Sequence, residues 1–389
     1  MMRAAHGIST FDIASSSNSC DQRRMTGLDW KALRSRIGKE LALLVTLQRS
    51  DRSWQLPFAA ALASGGPMLF GAATGQAALG ALGAIAGLAF LYLPPVGLFQ
   101  RIPVMMACAF AMLSGYAVGL MAAMVPGAAI PLIWIVAVLA MLFCKAYSLA
   151  PPGPLFIVLS AAVAAFTPLD MAHAFRNIGY FAFGALWACG VAIVYSALTV
   201  RRQDVRPVLR PAADRDDGVT DALIAGFFVA LSLLIALLLD LPRPYWVPVS
   251  CLAIMQGVTL RASWTRNVHR IVGTFIGLGV TWLLLPFIHD LWTIAAAIIL
   301  LTFIIETVVV RHYAFAAIFF TPLTLILAET SHPATDGAGA LMAARLIDTI
   351  VGAMIGLSGA LCLHTPGWRL MIRRGLFRLG LLHDRPGGD

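Results

Sequence analysis

Two carboxylic acids lie inside apolar runs of this chain, Glu306 within LLTFIIETVVV and Asp348 within RLIDTIVGAMIG. An ionisable group at membrane depth is costly, and where it persists it commonly relays protons or holds a counter-ion. Asp348 follows Arg345 by three residues, a spacing that on a helix puts both on one face and lets them pair. Glu306 lies five residues before Arg311. Burial favours the neutral form of a carboxyl and a neighbouring guanidinium favours the ionised form. Each acid is therefore a proton-coupling candidate or half of a structural ion pair. The basic residues near the same runs are Lys145, Arg270, Arg311 and Arg345. A guanidinium grips a carboxylate through two parallel hydrogen bonds, so these are the candidates for an organic anion. For Lys145 and Arg311 the plainer reading is a topological anchor with a snorkelling side chain. Arg270 differs because the helix runs on from it without a break.

Other chemistries find no purchase. There is no HExxH, GxSxG or GxxxxGK[ST] sequence, and no segment long enough for a soluble catalytic domain. The reading is of a non-enzyme with no cofactor and no metal. The six cysteines (Cys20, Cys108, Cys144, Cys189, Cys251, Cys362) are scattered, mostly within apolar runs, and read as packed single thiols.

The elements that must position these residues are membrane helices. The chain is 59% hydrophobic and 12% charged, with a mean hydropathy of +0.83; soluble domains average about 25% charged residues. The net charge of +9 does not point to nucleic acid, because the basic residues are divided among separate loops. Twelve spans are expected, near 57–74, 76–93, 103–124, 129–146, 153–167, 177–199, 221–239, 245–260, 270–286, 291–310, 314–328 and 342–363. Residues 1–27 carry no apolar h-region and read as a disordered arm rather than a cleavable signal peptide; Met25 is an alternative start. Residues 28–52 put Trp30, Leu33, Ile37, Leu41 and Leu44 on one face, as an interfacial amphipathic helix does. Residues 57–199 form the first membrane half, 200–220 a cytoplasmic linker, 221–363 the second half and 364–389 a basic cytoplasmic tail.

With the N-terminus in the cytoplasm, all but Arg176, Arg243 and Arg345 of the 28 Lys and Arg fall on the inner side. Six spans per half give the halves one orientation, a parallel repeat with a substrate path between them. Short echoes accompany it: Lys145-Ala-Tyr147 with Arg311-His-Tyr313, Gln100-Arg101-Ile102 with His269-Arg270-Ile271, and Arg176 with Arg345. Glycines four apart (Gly71/Gly75, Gly115/Gly119, Gly273/Gly277, Gly352/Gly356) read as close helix packing. Tyr245, Trp246, Trp282 and Trp292 fall at outer span ends, as an aromatic belt. Pro244 and Pro248 flank the first pair and could break the start of its span.

The order Pro244-Tyr-Trp-Val-Pro248, Arg270-Ile-Val-Gly-Thr274, Gly277, then Arg345-Leu-Ile-Asp-Thr349 with Gly352 resembles the fusaric acid resistance-like (FUSC) family, in the part described as an integral membrane bound transporter domain. The resemblance covers about residues 225–363, with Tyr245, Trp246, Gly273, Thr274, Gly277 and Gly352 as its structural motif. It implies a bacterial inner-membrane exporter of aromatic carboxylic acids, in some members working with a periplasmic membrane-fusion partner, and a distant similarity to plant malate-permeable anion channels. Many members carry a large soluble domain after each membrane block, where this chain has the short segments 200–220 and 364–389.

The expected protein is thus an all-α, twelve-span inner-membrane exporter of small organic anions, with both termini cytoplasmic. Arg270 and Arg345 would attract the carboxylate, and Asp348 or Glu306 would carry a proton. A passive organic-anion channel would need the same arginines and no titrating acid. A non-transporting membrane anchor would draw on the basic arm. Lipid and a small organic acid are the expected partners, nucleic acid is not, and a homo-oligomer is left open.

Overall fold

The computed structural model describes residues 52–149, 152–167, 171–199, 215–331 and 338–378. The arm 1–27, the helix expected over 28–52 as far as residue 51, most of the linker and Cys20 lie outside the described residues.

Every regular element among the described residues is a helix. These are α1 Gln55–Thr74, α2 Ala77–Gly87, α3 Leu98–Met124, α4 Ala129–Ala146, α5 Leu155–Ala165, α6 Met171–Thr199, α7 Arg215–Leu238, α8 Trp246–Met255, α9 Leu260–Leu284, α10 Leu291–Val308, α11 Tyr313–Ser331, α12 Ala338–His364 and α13 Pro366–Arg378. Eight of them, α1, α3, α4, α6, α7, α9, α10 and α12, are long and apolar enough to cross a membrane. The protein is a multi-pass membrane protein. The twelve expected segments each overlap one of α1–α12, but α2, α5 and α8 are shorter apolar helices, as is the Tyr313–Ala328 stretch of α11. The 11 residues of α5 and the 10 of α8 reach only about 15 Å, half of a ~30 Å hydrocarbon core. Short helices of this kind belong in the protein interior, where other helices cover their ends. Three of them are there: α8 is buried throughout, and so are α5 from Phe156 and α2 from Leu79.

Each short helix has a long partner. α3 packs along α5, α9 along α11, α6 along α2 and α12 along α8; α1 also meets α10, and α4 meets α7. Glycine makes these approaches. A Cβ at Gly115 or Gly119 would meet the α5 carbonyls of Ile157 and Ala161, and one at Gly273 or Gly277 the α11 carbonyls of Ala314 and Ile318. Gly352 and Gly356 lie in the same way against the α8 carbonyls of Val247 and Cys251. In lipid, where apolar surface gains little by leaving one greasy solvent for another, such backbone contact is a main source of helix cohesion. Gly75 departs from the expected packing role. It caps α1 with φ of 69°, a left-handed conformation that suits glycine, and nothing stands near its missing Cβ.

Two ends are fixed by polar chemistry. Asp290 caps α10 in a capping box with Thr293, and the Thr259 hydroxyl caps α9 by accepting from the Ala262 N–H. The segment 364–389, expected as a plain tail, contains α13. Its Arg369 holds Asp221 of α7 at 3.2 Å, and Lys145 of α4 holds the other oxygen of the same carboxylate.

Candidate functional site

The site is built around the first turn of α8. Tyr245 precedes the helix and Trp246 opens it, with Pro248 in the first turn, where a missing N–H leaves no ladder bond unmade. Both aromatic rings turn inward and are buried. This corrects the aromatic-belt expectation for the pair; Trp282 and Trp292 are 67% and 54% exposed. The tryptophan has a cation above it. Arg345 of α12, 3% exposed, sets its Cζ 4.0 Å from the centroid of the Trp246 ring. A desolvated guanidinium on an indole face is a strong cation–π arrangement. Its Nη2 reaches the Thr324 hydroxyl of α11 at 3.4 Å, while Nε and Nη1 have no hydrogen-bond partner.

Asp348 is one turn further along α12 and wholly enclosed. Neither carboxylate oxygen has a hydrogen-bond partner. The expected Arg345–Asp348 ion pair is not formed, because the guanidinium is drawn to Trp246 and Thr324 instead. The two still interact electrostatically. Arg270 of α9 meets the same face of α8 one turn further on. Its Nη2 donates to the Ser250 hydroxyl, four residues past Trp246, at 3.2 Å, and its Nε is unpartnered. The two guanidiniums are near enough to repel each other. Thr274 is buried one turn beyond Arg270 on α9. The arrangement offers unused donors, a flat aromatic face and an unpaired carboxylate, all enclosed by helices.

The other candidates lie elsewhere. Glu306 of α10 pairs with Arg52, just ahead of α1: Nη1 lies 3.3 Å from Oε2 and 3.4 Å from the Glu306 carbonyl oxygen. The sequence neighbour Arg311 is exposed at the turn after α10. Lys145 is committed to Asp221 at the end of α4, which supports an anchoring role over anion capture. Glu306 also borders an apolar cavity of about 60 Å³. α2 and α5 supply one wall, α8, α10 and α11 the other, and Tyr245, Trp246, Thr302 and Thr324 are among its lining residues. A space of that size accepts a few waters and no aromatic acid, so passage of such a molecule needs the helices to move.

Sequence reasoning missed Ser250, Thr324 and Arg52. Single hydroxyls in apolar runs carry no periodic signal, and the Arg52–Glu306 contact joins residues far apart in the chain. Among the described residues no group of three or more His, Cys, Asp or Glu side chains is placed to hold a metal ion.

Comparison with known proteins matches residues 229–359 to the family described as fusaric acid resistance protein-like. The segment runs from α7 into α12 and contains Arg270, Glu306, Arg345 and Asp348. Over 148 residues, 38% of this chain, the sequence is 36% identical to the uncharacterized membrane protein YvaC of Bacillus subtilis (strain 168). The aligned part spans 23% of that relative's length. No solved structure matches.

Proposed function

We propose that this multi-pass membrane protein, with its fusaric acid resistance protein-like segment, exports small organic anions across a bacterial inner membrane, aromatic carboxylic acids foremost. The observation that carries the reading is Arg345 on Trp246. A buried guanidinium with two unpartnered nitrogens, lying on an indole, suits a carboxylate attached to an aromatic ring. The nitrogens bind the charge and the aromatic surroundings receive the ring. Arg270 adds a second positive group, and Asp348 with its bare oxygens is the proton carrier. Protonating Asp348 removes a negative charge that acts on Arg345, so proton movement and anion movement share one locus.

On the same proposal α1–α12 form two parallel halves with cytoplasmic termini, the short α2, α5 and α8 included beside the eight helices long enough to cross a membrane. Helix pairing repeats between α1–α6 and α7–α12, as in α3–α5 with α9–α11 and α2–α6 with α8–α12. Cross-helix contacts also join ends assigned to the same side. Arg52–Glu306, Arg101–Ser196, Tyr92–Gly153, Gln256–Pro152 and His364–Gly257 link cytoplasmic ends. Tyr180–Gln76 and Phe166–Tyr245 link outer ones.

The test is accumulation of aromatic and aliphatic acids in cells lacking the gene and complemented with wild type, Arg345→Gln or Asp348→Asn. The reading predicts that wild type lowers accumulation of aromatic acids, that Arg345→Gln does not, and that Asp348→Asn loses the dependence on external pH. Normal export by Asp348→Asn at every pH would remove the coupling role from Asp348.

A further inference from the structure

The glycine pairs put α3 and α9 in register. Gly115 and Gly119 meet α5 carbonyls as Gly273 and Gly277 meet those of α11. On this register the residue three before the first glycine is Met112 in α3 and Arg270 in α9. Arg101, the sequence echo of Arg270, is not its counterpart; it bonds to the Val96 carbonyl and the Ser196 hydroxyl at the start of α3. The whole face follows suit. In α3 it reads Met105, Ala109, Met112, Tyr116, and in α9 it reads Ser263, Asn267, Arg270, Thr274, all buried. Matched faces of paired helices are thus apolar in one half and polar in the other.

The polar face carries bare atoms. Ser263 Oγ, Asn267 Oδ1 and Arg270 Nε have no hydrogen-bond partner, and on α12 neither do Arg345 Nε and Nη1 or the Asp348 oxygens. The α3 face leaves one such atom, the Tyr116 hydroxyl, on a ring stacked against Phe181. Buried polar atoms in native proteins are almost always satisfied by protein or water. A helix face with this many unmet groups is what a hydrated path requires, and an apolar matched face is what a packing surface requires. α9 packs on α11, α12 and α8, within the second half.

We propose that the permeant passes through the second half alone, along the Ser263–Asn267–Arg270–Thr274 face of α9 to Arg345 and Asp348, and that the first half is a dry scaffold. This rests on the organic-anion reading and places its path inside one half rather than between the two.

Cysteine accessibility tests it in the full-length protein in liposomes. Asn267→Cys and Thr274→Cys probe the α9 face, Ala109→Cys and Met112→Cys the matched α3 face, and Leu323→Cys the cavity between the halves. Wild type gives the background from its native thiols, and only variants that keep wild-type thermal stability are compared. Thiol reactivity follows access to water, so a small anionic thiosulfonate should modify the α9 thiols about tenfold or more faster than the α3 thiols. Aromatic carboxylate should slow the α9 reaction. Fast modification of Leu323→Cys with both α9 thiols protected would place the path between the halves and overturn the proposal. Equal rates on α3 and α9 would overturn it as well. Labelled α9 thiols in a protein that moves no organic acid would keep the hydrated face and overturn the transport reading instead.

Discussion

Arg52→Ala is a perturbation of the contact that ties Arg52 to α10. It removes the ion-pair partner of Glu306, whose side chain is 8% exposed, while the Arg52 side chain is 29% exposed. Breaking a fully buried pair from one side costs about 3–5 kcal/mol, because the remaining charge stays out of water. Partial exposure of Arg52 reduces this, and roughly 1–3 kcal/mol is expected here. Glu306→Gln should cost less, about 1 kcal/mol or below, since Arg52 can turn toward water and the amide can still accept its hydrogen bond. The double variant should recover part of the loss, with a coupling of about 1–2 kcal/mol. Thermal unfolding of the four proteins in one lipid or detergent condition reads the cycle. Additive effects would show that the contact does not hold α1 to α10, and a larger loss for Glu306→Gln than for Arg52→Ala would refute the asymmetry of burial behind the estimate.

Gly277→Ala should destabilise by about 1–3 kcal/mol through overpacking, because its Cβ would meet the Ile318 carbonyl and the Thr321 side chain. Gly279→Ala, with nothing within 4 Å, is the matched control and should be neutral or slightly stabilising in thermal unfolding. Asp290 is held below the usual carboxylate range by the Thr293 N–H and hydroxyl. Its cap therefore stabilises fully above the ordinary carboxylate pKa and is lost as pH falls through the depressed native value. Asp290→Ala should unfold at a lower temperature than wild type at neutral pH, and the gap should close in strong acid.

Helix content and the rough position of each helix were legible because long apolar runs leave few alternatives. The glycine spacings announced close packing for α3, α9 and α12, while the partners α5, α11 and α8 came from the structure. The candidate site was legible in its residues and not in its contacts. A three-residue spacing between Arg345 and Asp348 says that they share a face of α12; it does not say that Trp246, from another helix, competes for the guanidinium. The same gap explains Tyr245 and Trp246. Their position along the chain suited an interfacial belt, while their inward rotation depends on α8 being enclosed by its neighbours. α13 was hidden because its arginines, Arg369, Arg373, Arg374 and Arg378, read as a solvated tail, and its contact with Asp221 is with a residue distant in sequence.

The central claim is that an aromatic carboxylate is recognised by Arg345 on Trp246. Its most direct test is flux of a radiolabelled aromatic carboxylate in liposomes containing purified wild type or Arg345→Gln, matched for thermal stability. A charge-assisted contact is worth about 1.5–3 kcal/mol, so the variant should need roughly 10- to 100-fold more substrate for half-maximal flux. Saturable aromatic flux in wild type with that shift in the variant is the predicted result. Identical half-saturation in both proteins, or no saturable flux of any organic anion under a pH gradient or a membrane potential, would contradict it.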